Sequence, residues 1–441
     1  MMRTFKIGGV HPHDNKISAH AAIEDFPPPE RACVSMSQHL GAPAKPVVGK
    51  GDKVLAGQLI AEASSFVSAP VHSPVSGTVE DVAPLPDLAG NPVMHVIIRT
   101  EGDEWLPGID LSPELKTAID ATAEEIREKV KDCGIVGLGG AAFPTFIKLT
   151  PQKQASCLIL NGTECEPYIT SDDRIMRERP DEIVVGARIM MKALGVELCY
   201  IGIEANKPQA IEAMRKASSK YGGISVEPLR KKYPQGGEKQ LADAILGKRI
   251  PSQGLPIDIG TVVQNVGTAL AVYEAVQKNK PLVDNVVTVT GSALPAQKNY
   301  KVRIGTPYSM LLQAAGGLPE GEVKLISGGP MMGRAIAFPE AATVKATSSL
   351  LVLSGPEIRR GCEMNCIRCA KCSEACPMGL EPWLLNKLSR ASRHGDLEAE
   401  RIYDCIECGC CQFTCPSCIP LLDVIRNGKG EVMKIMRSRN K

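Results

Sequence analysis

Aromatic residues are scarce: two Trp, eight Tyr and seven Phe make up 4% of 441 residues. Few stacking platforms are therefore available for bases. An excess of either charge is also lacking, since 51 Lys and Arg stand against 49 Asp and Glu for a net +2. Without a basic field the chain has little to hold a phosphate backbone, and nucleic acid is excluded as an expected partner. No uncharged apolar run approaches the ~20 residues that span a bilayer, so we expect no transmembrane segment of its own. The opening MMRTFKIGGVHPHDNK has no basic stretch followed by an apolar core, which argues against a leader and for the cytoplasm. Only seven histidines occur, at 11, 13, 20, 39, 72, 95 and 394, and no dyad or triad signature surrounds them. No catalytic general base is nominated.

Cysteine is plentiful: there are sixteen. Eight fall in two copies of C-x2-C-x2-C-x3-C-P, namely Cys366, Cys369, Cys372, Cys376 with Pro377, and Cys405, Cys408, Cys411, Cys415 with Pro416. This is the bacterial ferredoxin run, in which three closely spaced cysteines wrap one 4Fe-4S cubane and the fourth ligates the other cluster. On that rule Cys366, Cys369, Cys372 and Cys415 hold one cluster, and Cys405, Cys408, Cys411 and Cys376 hold the second. Structural zinc prefers separated CxxC knuckles, and disulfides suit small secreted domains, so neither fits the tandem spacing as well. Thiolates kept for iron imply a reducing compartment. Cys362, Cys410 and Cys418 lie outside the repeat and read as small buried residues or as ligands of a third centre. Cys165 sits between two carboxylates, which raise a thiol pKa, so it is not a nucleophile.

The length predicts three or four domains, and the pattern gives a multidomain α/β chain. Residues 1–112 comprise an N-terminal extension and a compact all-β module punctuated by Gly49, Gly51, Gly57 and Gly77. The stretch VGKGDKVLAGQLIAEASSFVSAPVHSPVSGTV resembles a lipoyl or biotinyl barrel-sandwich domain, except that Ser64, Ser65 and Phe66 stand where the carrier lysine would sit. With no amine it carries no acyl group, and we read it as a structural or docking module. Residues 113–280 alternate glycine turns, apolar strands such as CLILNG, and helical stretches, as an α/β domain does. TAIDATAEEIREKVKDCG reads as its first helix, capped by Gly134. Residues 281–350 return to strands around SMLLQAAGG and suggest a β-grasp domain of the soluble-ligand-binding type. Its turn Ser327–Gly333 either closes a ligand pocket or is a plain glycine turn with core methionines. Residues 351–441 carry the cysteine motifs on a helical, ferredoxin-like domain, and the tail GKGEVMKIMRSRNK reads as a frayed end.

In the α/β domain, Gly137-Leu138-Gly139-Gly140-Ala141-Ala142-Phe143-Pro144-Thr145 follows apolar Ile135 and Val136. Small residues in succession let backbone N–H groups approach an anionic or planar ligand, although a simple turn would use them too. Asn161-Gly162-Thr163-Glu164-Cys165-Glu166-Pro167 follows a strand, putting two carboxylates and an amide where α/β domains bind ligands. Taken singly, those carboxylates are equally ordinary loop charges.

Gly137 to Lys148, Asn161 to Pro167 and Asp173-Arg174 together resemble the flavin and NADH signature of the flavoprotein subunit of respiratory complex I. Tyr233-Pro234-Gln235-Gly236-Gly237-Glu238 and Thr261 to Thr268 are similar to two further segments of that family. The chain departs from the pattern at Leu138, Ala142 and Lys239, where arginine, glycine and glutamate are usual. End to end, the order of modules resembles the C subunit of the Rnf electron-transport complex. The resemblance implies that Gly137, Gly139, Gly140, Ala141, Asn161, Asn265 and Thr268 hold non-covalent FMN. It implies that Phe143, Lys148, Glu164, Glu166 and Glu238 line the pocket for NAD(H) as substrate. Phe143, beside a proline in an apolar stretch, also suits a core. The implied function is that of a peripheral subunit on the cytoplasmic side of the membrane, passing electrons between NAD(H) and ferredoxin through FMN and two 4Fe-4S clusters. Its partners would be a ferredoxin-like subunit and integral membrane subunits that move ions. NADH yields two electrons at once and a cluster takes one, so a flavin between them is the part such a chain requires. A cobalamin reductase of similar parts is an alternative, but there the flavin loop precedes the barrel. A docking scaffold with an empty nucleotide pocket is another.

Overall fold

The computed structural model describes residues 2–359 and 361–439. At its centre four parallel strands lie in the order Ile224–Leu229, Cys199–Glu204, Cys157–Gly162, Thr261–Asn265. Their apolar runs suit a sheet covered on both faces. Helices Pro180–Leu194 and Val266–Lys278 pack on each other and form much of the largest core, with Ile183, Met190, Ala269 and Val272 fully buried. Close approach there needs Gly186, because a Cβ at that position would stand 2.0 Å from the Ala269 carbonyl oxygen. The first helix starts at Ala123, later than the 117–134 stretch suggests, because Thr122 and Glu125 form a capping box.

The barrel module consists of a four-stranded sheet, Arg31–Ser35, Pro92–Thr100, Gly77–Pro86 and Lys53–Val54, against a three-stranded one of Lys45–Pro46, Leu59–Glu62 and Val71–His72. Alternating Val34, Val79, Val96, Ile98, Ile60 and Val71 close its core. The third unit is a mixed six-stranded sheet whose central strand Asp284–Thr290 pairs antiparallel with Lys298–Arg303 and parallel with Ser349–Ser354. Helix Tyr308–Ala314 covers it through Leu311 and Leu312. No helix among the described residues is long and apolar enough to cross a membrane.

The C-terminal unit is built from short helices, including Pro382–Arg390 and His394–Ala399, packed on the 19-residue helix Leu421–Arg439. Leu421, Ile425 and Val432 face inward at four- and seven-residue spacing. The tail is therefore helix where the sequence suggested a frayed end; Asn440 and Lys441 lie outside the described residues.

The segment before the barrel does not stay with it. Arg3 bridges Leu229 at the edge of the parallel sheet, and Val10 exchanges two backbone hydrogen bonds with Tyr233. Between them, Gly9 N–H donates to the Ala375 carbonyl at 2.9 Å, one residue before Cys376. Farther on, strand Ile23–Asp25 joins the six-stranded sheet beside Lys298–Arg303. This strap ties three units together.

Candidate cofactor and cluster sites

Strands Cys157–Gly162 and Thr261–Asn265 are in parallel register with Asn161 opposite Asn265, so two amides meet at the C-terminal edge of the sheet. Ligands bind at such edges because the strand ends and following helix N-termini converge there. Asn265 caps helix Val266–Lys278 by accepting from Gly267 N–H at 2.7 Å, and its Nδ2 donates to Asp172 at 2.8 Å. Asn161 Nδ2 donates to the Gly236 carbonyl at 2.9 Å, while its oxygen accepts from Thr163.

The glycine loop lies over this edge. Its base is closed by Gly137 N–H to the Phe143 carbonyl and by a Val136–Pro144 bridge. Thr268 is fully buried and its hydroxyl accepts from Leu138 N–H at 2.9 Å, so it braces the loop. Gly139, Gly140 and Ala141 are exposed. Gly139 adopts φ +79°, and a Cβ there would meet the Asn265 amide at 2.7 Å; at Gly140 a Cβ would meet nothing within 4 Å. A bare backbone shelf next to two amides and a helix N-terminus is a donor set that suits an anionic group with a planar ring. The residues present thus fit FMN.

The residues expected for the nucleotide pocket are differently engaged. Phe143 is half-buried. Lys148 donates to Glu238 and to the Val263 carbonyl at 3.2 Å, so these two side chains pair with each other. Glu164 is buried and accepts from Asp172 N–H at 2.6 Å, Asp173 N–H at 3.2 Å and the Ser171 hydroxyl, which makes it the cap of helix Ser171–Glu178. Burial raises its pKa, with Lys16 opposing. Glu166 accepts from Met331 N–H at 3.2 Å, Met332 N–H at 2.8 Å and the Tyr233 hydroxyl at 3.3 Å. Burial pushes its carboxyl up to about 7 against the pull of those three donors. The turn Ser327–Gly333 is thus a seat for Glu166, and Gly329 is required there because a Cβ would stand 2.1 Å from that carboxylate.

Sequence reasoning missed Lys16. Its amine donates to the carbonyls of Glu164, Glu166 and Ile169, holding the whole turn from the strap side. A lysine in an irregular N-terminal segment carries no local signal of such a contact.

Tyr233 connects this edge to the cysteines. Its hydroxyl donates to the Cys408 carbonyl at 2.8 Å, and its ring packs with Val10, Ala375, Cys408 and Cys410. Cys376, Cys405, Cys408 and Cys411 line one small cleft together with Leu380, Leu385 and Ile425. These four are the crossed set that the motif rule assigns to one cluster. Burial raises the Cys411 thiol, and Cys408, Cys405 and Cys376 add to the rise. Among the described residues no group of three or more His, Cys, Asp or Glu is arranged to hold a metal ion.

The other set is more open: Cys366 and Cys369 are exposed, and Cys372 and Cys415 are half-buried. Its loop is tied to the second motif by Met364 N–H to the Ser417 carbonyl and by the Ser417 hydroxyl to the Asn365 carbonyl. The two motifs share a backbone shape. Arg368 and Ala370 flank Cys369 with φ +57° and +59°, and Glu407 and Gly409 flank Cys408 with +56° and +77°. Paired left-handed residues at matching places persist only where the surroundings demand them.

Comparisons with known proteins agree with this geometry. The pattern of the RnfC barrel sandwich hybrid domain matches residues 4–103, that of the Nuo51 FMN-binding domain residues 130–274, and that of the SLBB domain residues 286–335. The chain is 43% identical over 406 residues to the C subunit of the proton-translocating ferredoxin:NAD(+) oxidoreductase complex of Clostridium ljungdahlii, covering 91% of this chain and 87% of that one. It is 41% identical over 443 residues to the C subunit of the Na(+)-translocating complex of Acetobacterium woodii, covering 99% of both. With the C subunit of the ion-translocating oxidoreductase complex of Rhodobacter capsulatus it shares 42% identity over 406 residues, 90% of this chain and 77% of that one. An exposed glycine shelf, a cleft lined by cysteines and a barrel without its lysine thus occur together in a chain that belongs to the family of C subunits of Rnf-type ferredoxin:NAD(+) oxidoreductase complexes.

Proposed function

We propose that this chain is the peripheral redox subunit of a membrane-bound, ion-translocating complex and moves electrons between NAD(H) and ferredoxin. The observation that carries the reading is Tyr233, which contacts the turn at the sheet edge through Glu166 and the Cys408 loop through its hydroxyl. FMN, when bound, supplies the exchange between a two-electron hydride and single electrons. Gly137, Gly139, Gly140, Ala141, Asn161, Asn265 and Thr268 would hold it, Thr268 by bracing the glycine loop through Leu138 N–H. Phe143, Lys148, Glu164, Glu166 and Glu238 order the dinucleotide side, Glu164 and Glu166 by fixing the turn. The domains divide at 1–112, 113–280, 281–354 and 355–441: strand Ser349–Ser354 pairs within the third sheet, which moves the expected boundary at 350, and the strap of the first reaches the others.

Two 4Fe-4S clusters complete the path. The one on Cys376, Cys405, Cys408 and Cys411 is buried against Tyr233 and takes the inner place. The one on Cys366, Cys369, Cys372 and Cys415 has two exposed ligands and faces a ferredoxin-like subunit. Integral membrane subunits on the cytoplasmic face anchor the assembly.

Anaerobic NADH titration of the full chain, followed by optical and EPR spectra together, tests this. Flavin bleaching with two cluster signals is expected, at about eight irons per chain. A flavin-loaded protein that NADH fails to bleach would reject the reading in favour of a relay scaffold, for which the Lys148–Glu238 pairing is the supporting contact.

A further inference from the structure

The two cysteine motifs open alike, with Cys366-Ile367-Arg368-Cys369 and Cys405-Ile406-Glu407-Cys408, but carry opposite charges at the third place. Arg368 and Glu407 share the left-handed backbone, φ +57° and +56°, so they occupy corresponding points of two similar loops. Their surroundings differ. Arg368 is exposed, as is Ile367 before it. Glu407 is met by the last helix, Leu421–Arg439, from which Arg426 Nε donates to its carboxylate at 3.1 Å and Lys429 Nζ at 2.9 Å.

Lys429 makes a second contact. The same amine donates to the Cys405 carbonyl at 2.7 Å, so it bridges the peptide of a cluster ligand and the carboxylate two residues on. Glu407 N–H in turn lies 3.4 Å from the Cys405 sulfur. The Lys429 side chain is only 22% exposed, which limits how far water screens its charge. Arg426 and Lys429 stand three residues apart on one helix face, and the burial of Ile425 and Val432 in the core of the C-terminal unit fixes that face toward the loop. Arg426 also donates to the Met332 carbonyl at 3.4 Å, whose own N–H holds Glu166. Two cations against one anion leave a net positive charge on the loop of the inner set. Adding an electron to a site beside such a charge is easier, because the charge it adds is negative.

We infer that Lys429 is a positioning residue that sets the reduction potential of the inner cluster, raising it by its charge on the Cys405 loop, with Glu407 as the opposing charge. The inference rests on the proposed cluster on Cys376, Cys405, Cys408 and Cys411 and adds to it a residue that lies outside the cysteine motifs. One helix thus gives two loops of the same backbone shape different electrostatic settings: it engages Glu407 in the second, while the matching Arg368 of the first faces solvent.

The test is anaerobic redox titration of the full, iron-loaded chain followed by EPR, comparing wild type with K429M, K429R and E407Q, with iron content measured on every sample. K429M removes the cation and is expected to lower the midpoint of one signal, so that its reduced-to-oxidised ratio at the wild-type midpoint falls about tenfold, the order expected of one partly buried unit charge. E407Q removes the anion but keeps an acceptor for both cations, and is expected to raise the midpoint of that same signal. K429R keeps the charge and is expected to stay at the wild-type midpoint, and the second signal should hold still throughout. A brace without electrostatic effect would move K429M and E407Q the same way or not at all. Either result, or movement of both signals together, overturns the inference while the two-cluster reading stands. If K429M loses iron, E407Q decides: a midpoint that falls or does not move overturns the inference. Wild type with only about four irons and one signal overturns the cluster reading and the inference with it.

Discussion

Replacing Gly8 by alanine tests how the strap holds the inner cluster ligand. Gly8 adopts φ +62°, and a Cβ there would stand 2.4 Å from both the carbonyl carbon and oxygen of Cys376 and 2.7 Å from the Pro377 nitrogen. A left-handed alanine costs about 1–2 kcal/mol. Driving backbone apart to admit a methyl group costs about 1–3 kcal/mol more. The sum, about 2–5 kcal/mol, falls on the peptide that carries a ligand of the cleft. The right control is Gly51, whose φ is +94° but whose Cβ would meet nothing within 4 Å, so that G51A carries the torsional cost alone. Both variants would be purified without oxygen, unfolded in urea, and assayed for iron before and after brief exposure to a chelator. G8A should unfold earlier than G51A and release iron faster from one cluster. If G8A matches G51A in midpoint and keeps its iron equally well, the strap does not position Cys376 and the reasoning fails.

Three further outcomes are expected. Y233F removes the donor to the Cys408 carbonyl and to Glu166, and should cost about 1–2 kcal/mol in urea unfolding while shifting the reduction potential of one EPR signal but not the other; equal potentials for both clusters in wild type and variant would refute the contact's role. C376S should disturb the buried cluster and C366S the exposed one, so their EPR spectra should lose different signals; loss of the same signal in both would break the crossed ligand assignment. K345M addresses a fully buried amine that donates to the Pro70 and Gly134 carbonyls and is drawn down to about 7 by burial, from 10.5 when unfolded. Between those values the unfolded chain holds a proton that the folded chain lacks, so this group's contribution is present above pH 10.5 and is lost as pH falls toward 7. Wild-type stability should therefore rise with pH across that window by up to ~1.4 kcal/mol per unit more steeply than K345M stability; parallel curves would contradict it.

Much of the architecture was legible because its signals are local. The cysteine spacing, the glycine run at 137–140 and the barrel's alternating strands each lie within a few dozen residues, and matched patterns fall on the barrel and on the glycine run. Direction was not legible. Glu164 and Glu166 follow a strand as ligand-facing carboxylates do, yet one caps the helix Ser171–Glu178 and the other accepts from the turn at Met331 and Met332. A strand end tells which residues gather there, but backbone twist at Glu164, with φ +45°, decides which way each points. The strap was illegible for a different reason. Its partners, Leu229, Tyr233 and Ala375, lie more than 200 residues away, and an irregular segment has no period to expose its contacts. The last helix was obscured by Gly428 and Gly430, poor helix formers that Ser389 and neighbouring packing nonetheless accommodate.

The strap also sets an order of events during synthesis. Gly8 leaves the ribosome at the start but waits for Cys376, a delay of roughly 20–70 s at ~5–20 residues per second. Closure of that contact is a long-range event and therefore a slow one. The first-made residues of the chain thus pack against its last domain only after most of the sequence between them has been made.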